Sequence, residues 1–199
     1  MSIRGKYQDR NIAIQGDRDP SEAVGSLAVL LGQKLHRAGF GAIVGDAGGL
    51  VKLIEQSGIP TVRHAFKGEP IVSSEPGRAP MVSCVAAGLE AANSFGLGDD
   101  AGIVRFNAHG IRMSIMRSMS CGAVFFAGSE GTKYQLLHFL VRNLKGKGQP
   151  IPIALIGWMP AEVSGLLQFL CMTQPSWLQC FEANEAGVDA AVKFLQGEK

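Results

Sequence analysis

Short apolar runs alternate along the chain with longer segments in which apolar residues recur every three or four positions. The first run, Asn-Ile-Ala-Ile-Gln at Asn11–Gln15, closes on Gly16-Asp17 and predicts a buried strand and its turn. Asp19-Pro20-Ser21-Glu22 then carries the marks of a helix start, an acidic cap with proline in the first turn. Val24, Leu27, Leu30, Leu31 and Leu35 follow at helical spacing until Gly39 and Gly41 stop the pattern. The alternation predicts a strand at 40–44 with a helix at 50–56, and a strand at 123–127 with a helix at 133–145. It also predicts a strand at 152–156 with a helix at 161–172, and a strand at 178–181 with a helix at 185–195. Further strands are expected at 59–63 and 103–106, the second leading through Asn107-Ala108-His109-Gly110 into a helix over 111–119. Residues 66–80, rich in Gly, Pro and Ser, read as an extended loop. A helix over 81–95 follows and ends at Gly96-Leu97-Gly98-Asp99-Asp100. Short strands separated by longer helices build a mostly parallel sheet covered on both faces. The expected class is α/β, with 1–199 forming one domain, 1–9 an N-terminal extension and 66–100 a divergent segment.

Composition supports a large core. Of 199 residues, 46% are hydrophobic and 18% charged, so much of the chain must be buried. The net charge of +2 is close to neutral and argues against a nucleic-acid polymer as partner. Lys145-Gly-Lys147 reads as a solvated helix end followed by a loop. Cys84, Cys121, Cys171 and Cys180 form no CxxC pair and show no metal-ligand spacing with histidine, which predicts small buried thiols and no metal. The polar start and the lack of a membrane-length apolar run predict a cytoplasmic protein without membrane contact.

The chemistry concentrates in three turns. A glycine-rich strand-to-helix turn lets backbone N–H groups converge at the positive end of a helix dipole, where anionic phosphate is the natural occupant. In an open parallel sheet such turns gather at the carboxyl ends of the strands, where the strand order reverses. The first turn offers Gly16 and Asp17, the second Gly45, Gly48 and Gly49. The third runs from Gly128 through Ser129, Glu130 and Gly131 to Thr132, and the Gly131 amide and Thr132 hydroxyl are the best phosphate donors. Neither glycine cluster fits GxGxxG or GxxxxGK[ST], which disfavours a dinucleotide fold and an ATPase. Arg112 stands near a predicted helix start, where its charge opposes the dipole unless an anion compensates it. As a ligand group it would make a bidentate contact to phosphate or sugar. Arg117 reads as structural or interfacial, and His109 as a helix cap, a ligand contact or a base. His36, His64 and His138 read as packing or surface residues. Met113, Met116 and Met119 form an apolar strip for the core or a subunit interface.

Together these residues resemble the LOG family of phosphoribohydrolases, some of whose members carry the older label lysine decarboxylase-like, within the wider SMF/DprA–LOG group. That family has an Arg-Lys pair on a helix, a strand, and then Pro-Gly-Gly-x-Gly-Thr-x-x-Glu. Here Arg112 stands sixteen residues before Gly128, with Met113 in place of the lysine. Ala127-Gly128-Ser129-Glu130-Gly131-Thr132 stands for the glycine motif, and Gln135 occupies the place of the catalytic glutamate. Gly45 to Leu50, Pro152 to Gly157 and Leu166 to Leu170 resemble further family segments. The resemblance implies a Rossmann-like domain that forms a homodimer or larger homo-oligomer. It further implies a nucleotide or sugar-phosphate ligand and cleavage of the N-glycosidic bond of nucleoside 5′-monophosphates, with no cofactor.

Such cleavage passes through an oxocarbenium-like sugar that a nearby carboxylate stabilises or attacks. Gln135 has the shape of that group without its charge, so the catalytic candidates are Arg112, Gln135 and a substitute carboxylate at Glu130. Asp17, Asp46, Asp99 and Asp100 are further carboxylates to consider. The alternative is a carrier or sensor that holds the nucleotide without cleaving it. A blander reading is a structural subunit with vestigial turns. No lysine sits in a context that suggests a pyridoxal phosphate Schiff base, so decarboxylation is disfavoured.

Overall fold

A strand with apolar residues at successive positions offers one hydrophobic face to each side of a sheet, and the central strands do this over most of their length. The computed structural model describes residues 10–45, 48–66, 99–100, 103–106, 109–145 and 149–197. Side chains are described for all of these except 62–66, 99–100, 103–106, 109–112 and 115. The elements run β1 (Asn11–Gln15), α1 (Glu22–Arg37), β2 (Gly41–Val44), α2 (Gly49–Gln56), β3 (Thr61–Phe66), β4 (Asp99–Asp100) and β5 (Ile103–Phe106). They continue α3 (His109–Ser118), β6 (Gly122–Phe126), α4 (Glu130–Lys145), β7 (Ile153–Ile156), α5 (Pro160–Phe169), β8 (Leu178–Phe181) and α6 (Glu185–Gln196).

The eight strands form one sheet in the order β4-β5-β3-β2-β1-β6-β7-β8, an α/β Rossmann-like fold. All neighbours pair in parallel except β4, which runs antiparallel to β5 at the edge. On one face Ala13, Phe125 and Leu155 pack with Met113, Met116, Leu136, Phe139 and Trp158. On the other, Ile12, Ile14, Val124 and Phe126 pack with Leu31, Leu35, Ile54, Val188 and Leu195. The helices α3, α4 and α5 therefore cover the first face, and α1, α2 and α6 the second. The methionine strip 113/116/119 belongs to the core.

The predicted ends shift where backbone groups decide them. Ser21, not Asp19, caps α1: its hydroxyl accepts from the Val24 N–H at 3.4 Å. β3 begins two residues later than expected, after Pro60, whose carbonyl accepts from the Ala42 N–H while its own nitrogen has no hydrogen to give. The helix α4 begins three residues early because the Ser129 carbonyl accepts from the Thr132 and Lys133 amides at 2.9 and 3.1 Å. α5 ends at Phe169, and just beyond it Cys171 takes a φ of 53° that no helix continues. β4 was not expected, since Asp99 and Asp100 have little strand preference, and its pairing with β5 overrides this.

The thiols also depart from expectation. Cys171 and Cys180 are exposed and Cys121 is half-buried, because Cys171 lies past a helix end and Cys180 on the edge strand β8. Cys84, Asp46, the N-terminal extension 1–9, residues 146–148, the predicted helix 81–95 and nearly all of the divergent segment lie outside the described residues. Among the described residues no helix is long and apolar enough to cross a membrane, and no group of three or more His, Cys, Asp or Glu could hold a metal ion.

Candidate functional site

The order of the sheet reverses at β1, which sends the chain first to β2 and much later to β6 on its other side. The three glycine turns follow β1, β2 and β6, so they stand side by side at one edge. Between them lies a cleft of about 220 Å³. Gly16, Asp17 and Gly45 line it from the β1 and β2 ends, and Ser129, Gly131, Thr132 and Gln135 from the β6 turn and α4. Leu50 and Val51 of α2 give it an apolar wall.

Close packing holds the two turns that flank the reversal. A Cβ at Gly128 would stand 2.7 Å from the Thr132 hydroxyl oxygen and 3.0 Å from the Asp17 backbone nitrogen. A Cβ at Gly16 would stand 2.7 Å from a Leu50 methyl and 3.2 Å from Cβ of Phe126. In the second turn, Gly48 adopts a φ of 128° as the N-cap of α2, a conformation that favours glycine, and it abuts the Arg18 backbone. The Gly49 amide donates to the Arg18 carbonyl. Gly48 and Gly49 thus lock the first turn in place and do not line the cleft, whereas Gly45 does.

At the start of α4, the Thr132 and Lys133 amides are spent on Ser129. The Glu130 and Gly131 amides donate to no backbone carbonyl among the described residues, as expected of a first helical turn. Thr132 is 2% exposed and lies one turn before Gln135 on the same helix face. The Asp17 carboxylate accepts the Arg18 N–H at 2.8 Å, and Asp17 is the one carboxylate among the described lining residues. Arg18, exposed beside it, also lines the cleft and supplies a cation.

Not every candidate joins this cluster. Glu130 is the first residue of α4, and its side chain is 90% exposed and paired with Lys133 at 3.0 Å. It does not line the cleft, and Lys133 in turn reaches Glu162 at 3.4 Å. The hydrogen bond from Lys133 to Glu130, with smaller contributions from Glu162, raises the Lys133 pKa. Arg112 falls in the first turn of α3, with a side chain outside the described residues, as is that of His109. Asp99 and Asp100 form the far edge strand, separated from β1 by β5, β3 and β2. Arg117 is structural: its guanidinium donates to the Asn143 side-chain oxygen at 2.8 Å and to the Gln149 carbonyl at 3.1 Å. His138 is half-buried and shares a 3.2 Å hydrogen bond with the Ser114 hydroxyl. Burial and then the charge of Arg142 push its pKa below the ordinary histidine value.

Two polar lining residues, besides the apolar Ile14, Leu50 and Val51, escaped the sequence reading. Arg18 carries no signal of its own, being a lone basic residue in a loop. Gln15, the last residue of β1, is 4% exposed, and its side-chain Nε2 has no hydrogen-bond partner among the described residues. A polar residue closing a central strand directly before a glycine turn was the available signal.

No family model matches this chain, and no curated protein does. Among solved structures, the molybdenum cofactor carrier protein from Chlamydomonas reinhardtii is similar at 16% identity and a TM-score of 0.61, over 95% of this chain and 100% of that one. A second structure, of the Moco carrier protein from the same organism, is similar at 21% identity and a TM-score of 0.56, over 95% and 98%. DNA processing protein A from Helicobacter pylori is similar at 12% identity and a TM-score of 0.55, over 96% of this chain and 82% of that one. At these identities the likeness is one of fold. The last comparison corrects one expectation: that protein has a single-stranded DNA binding mode, so a nucleic-acid polymer is not excluded by near-neutral charge on this fold. Contacts to phosphate are made by local groups, so overall charge does not by itself decide the matter.

Proposed function

We propose that the cleft binds a phosphate-bearing small molecule, a nucleotide or sugar phosphate, and that the protein holds this ligand without turning it over, as a carrier or sensor. The observation that carries the reading is the start of α4, where the Glu130 and Gly131 amides have no backbone partner among the described residues, beside the buried Thr132. In this reading the phosphate sits on the Ser129–Thr132 turn, with Arg18 adding positive charge. Asp17, which can only accept hydrogen bonds when ionised, faces sugar hydroxyls rather than phosphate. At about 220 Å³ the cleft is smaller than the ~300–1,000 Å³ of drug-sized ligand pockets, so it suits a phosphoryl group and part of a sugar.

Gln135 supports the non-catalytic half of the proposal. It lines the cleft but cannot offer negative charge to an oxocarbenium-like sugar. The presence of a cofactor carrier among the structures of this fold is in keeping with that role. A second reading rests on Asp17, whose carboxylate lines the same cleft and could serve N-glycosidic cleavage of a nucleoside 5′-monophosphate.

One experiment separates them. Titration calorimetry with inorganic phosphate, ribose 5-phosphate and AMP, alongside chromatography for released adenine, is run on the protein and on Thr132→Val and Asp17→Asn. Binding that Thr132→Val weakens, with no adenine released, is the expected result. Release that Asp17→Asn abolishes would establish the hydrolase instead. A single-stranded oligonucleotide that binds and displaces none of the small ligands would move the function to another surface. No binding of any of the three small ligands would overturn the proposal.

A further inference from the structure

Gln15 presents a problem that the reading above does not absorb. The residue closes the central strand β1, in register with Phe125 of β6 and beside the β2 end, and the Nε2 of its buried carboxamide is left without a partner among the described residues. Buried polar groups are almost always paired, because an unmade hydrogen bond forfeits the hydration the group had in the unfolded chain. A leucine or valine here would extend the apolar run of β1 at no such cost. The exception sits on the wall of the cleft.

The amide also leans in a definite direction. Its Oε1 lies 3.8 Å from the place where a Cβ of Gly45 would be, so the carboxamide reaches toward the β2 end of the cleft, on the other side of β1 from the α4 turn. Gly45 has no side chain to fill that end, while Leu50 and Val51 line the cleft from the helix on the opposite face of the sheet. On this face of the sheet the cleft therefore offers two different kinds of donor: a turn of backbone amides at β6 and α4, and, toward β2, a carboxamide whose Nε2 has no partner among the described residues.

We infer that Gln15 is a specificity-determining residue, which donates from Nε2 to a neutral acceptor on the organic part of the ligand, a sugar oxygen or a heterocycle carbonyl or ring nitrogen. The inference rests on the proposed anion subsite at α4, which fixes the end of the ligand that Gln15 does not read. A ligand spanning both kinds of donor runs across the end of β1, with its phosphoryl group over Ser129–Thr132 and its neutral part over Gln15 and Gly45. Gln15 then discriminates among phosphate compounds by what they carry beside the phosphate.

The test is Gln15→Met, close in length and volume but without the amide, assayed with inorganic phosphate and ribose 5-phosphate, AMP, GMP, CMP and UMP. The preferred organic phosphate should lose about tenfold in affinity relative to inorganic phosphate, the loss of one hydrogen bond to a desolvated group. The melting temperature should hold or rise, because the substitution removes an unpartnered buried amide. Gly45→Ala should give the same relative loss by placing a methyl group over the carboxamide. An unchanged affinity ratio in Gln15→Met would overturn the inference, as would a melting temperature lowered by several degrees, which would make the amide structural. If the unaltered protein binds inorganic phosphate but none of the organic phosphates, the inference falls while the anion subsite stands. If it binds neither, both fall together.

Discussion

Replacing Gly128 and Gly131 by alanine, one at a time, applies the same added methyl group to two ends of one turn, with opposite consequences. At Gly128 the new Cβ would stand 2.7 Å from the Thr132 hydroxyl oxygen and 3.0 Å from the Asp17 backbone nitrogen. The second neighbour is main chain of the β1 turn, so relief requires the β1 and β6 turns to move apart. Overpacking of this kind costs about 1–3 kcal/mol, and the same movement spreads the mouth of the cleft. At Gly131, among the described residues outside its own helix backbone, the one neighbour within 4 Å is the Ser129 hydroxyl oxygen, at 3.8 Å. Alanine there meets no obstacle and gains up to about 0.5–1 kcal/mol from the greater helix preference and lower unfolded entropy of alanine. Its methyl group, however, enters the cleft beside the unspent amides. Gly128→Ala should lower the urea midpoint and ribose 5-phosphate affinity together. Gly131→Ala should hold or raise the midpoint while affinity falls by about tenfold, or ~1.4 kcal/mol. Equilibrium urea unfolding at constant m-value, with titration calorimetry on the same samples, reads both. An unchanged midpoint in Gly128→Ala would refute the close packing of the turns. Full affinity in Gly131→Ala would refute the placement of the anion at α4.

Two further outcomes follow from polar groups away from the cleft. Asn143, 5% exposed, donates to the Ile151 carbonyl at 2.9 Å and accepts from the Ile151 N–H at 3.3 Å and from Arg117 at 2.8 Å. Asn143→Ala strands all three and should cost about 2–4 kcal/mol by urea unfolding, a loss below ~1 kcal/mol contradicting the network. His138 has a folded pKa below the ordinary histidine value, so the unfolded chain binds more protons as the pH falls through about 6.5. Stability should therefore drop on acidification from pH 7 to pH 5.5, and His138→Gln should show a shallower drop; equal slopes in the two proteins would refute the role of burial.

The central sheet was legible because its signals are local and repeated. Asn11–Gln15 falls where its apolar centre Ile12–Ile14 and the following Gly16-Asp17 place it. The side-by-side placement of the three turns was legible in outline, because parallel strands return every loop of one kind to one edge. The direction of individual side chains was not. Glu130 and Thr132 are two residues apart in one turn, yet the first helical residue faces water and pairs with Lys133, while Thr132 is buried in the cleft. The difference depends on α4 beginning at Glu130, three residues before the periodic apolar pattern reveals a helix. Gln15 was hidden for a related reason. At the end of a strand the two-residue alternation gives the face of a side chain but not whether that face is covered by helix, water or cleft. Only the strand order, with β1 between β2 and β6, makes its burial evident.

The same distinction between local and global quantities explains why charge balance does not by itself decide a partner. A net charge of +2 is summed over the whole surface, and beyond about 10 Å at ordinary ionic strength such a field is largely screened. The groups that would meet a phosphate are the Glu130 and Gly131 amides, the Thr132 hydroxyl and the Arg18 guanidinium. Three of these four contribute nothing to the count of formal charges. Backbone amides at a helix start act through hydrogen bonds and partial charges fixed by the fold, and they are unchanged by surface substitutions that shift the isoelectric point. A chain of this fold can thus be near neutral and still be built to take an anion. The choice among anions then passes to whatever surrounds the phosphate. In this cleft that means Asp17, which accepts only, Gln15, whose Nε2 has no partner among the described residues, and Gln135, which offers the shape of a carboxylate without its charge.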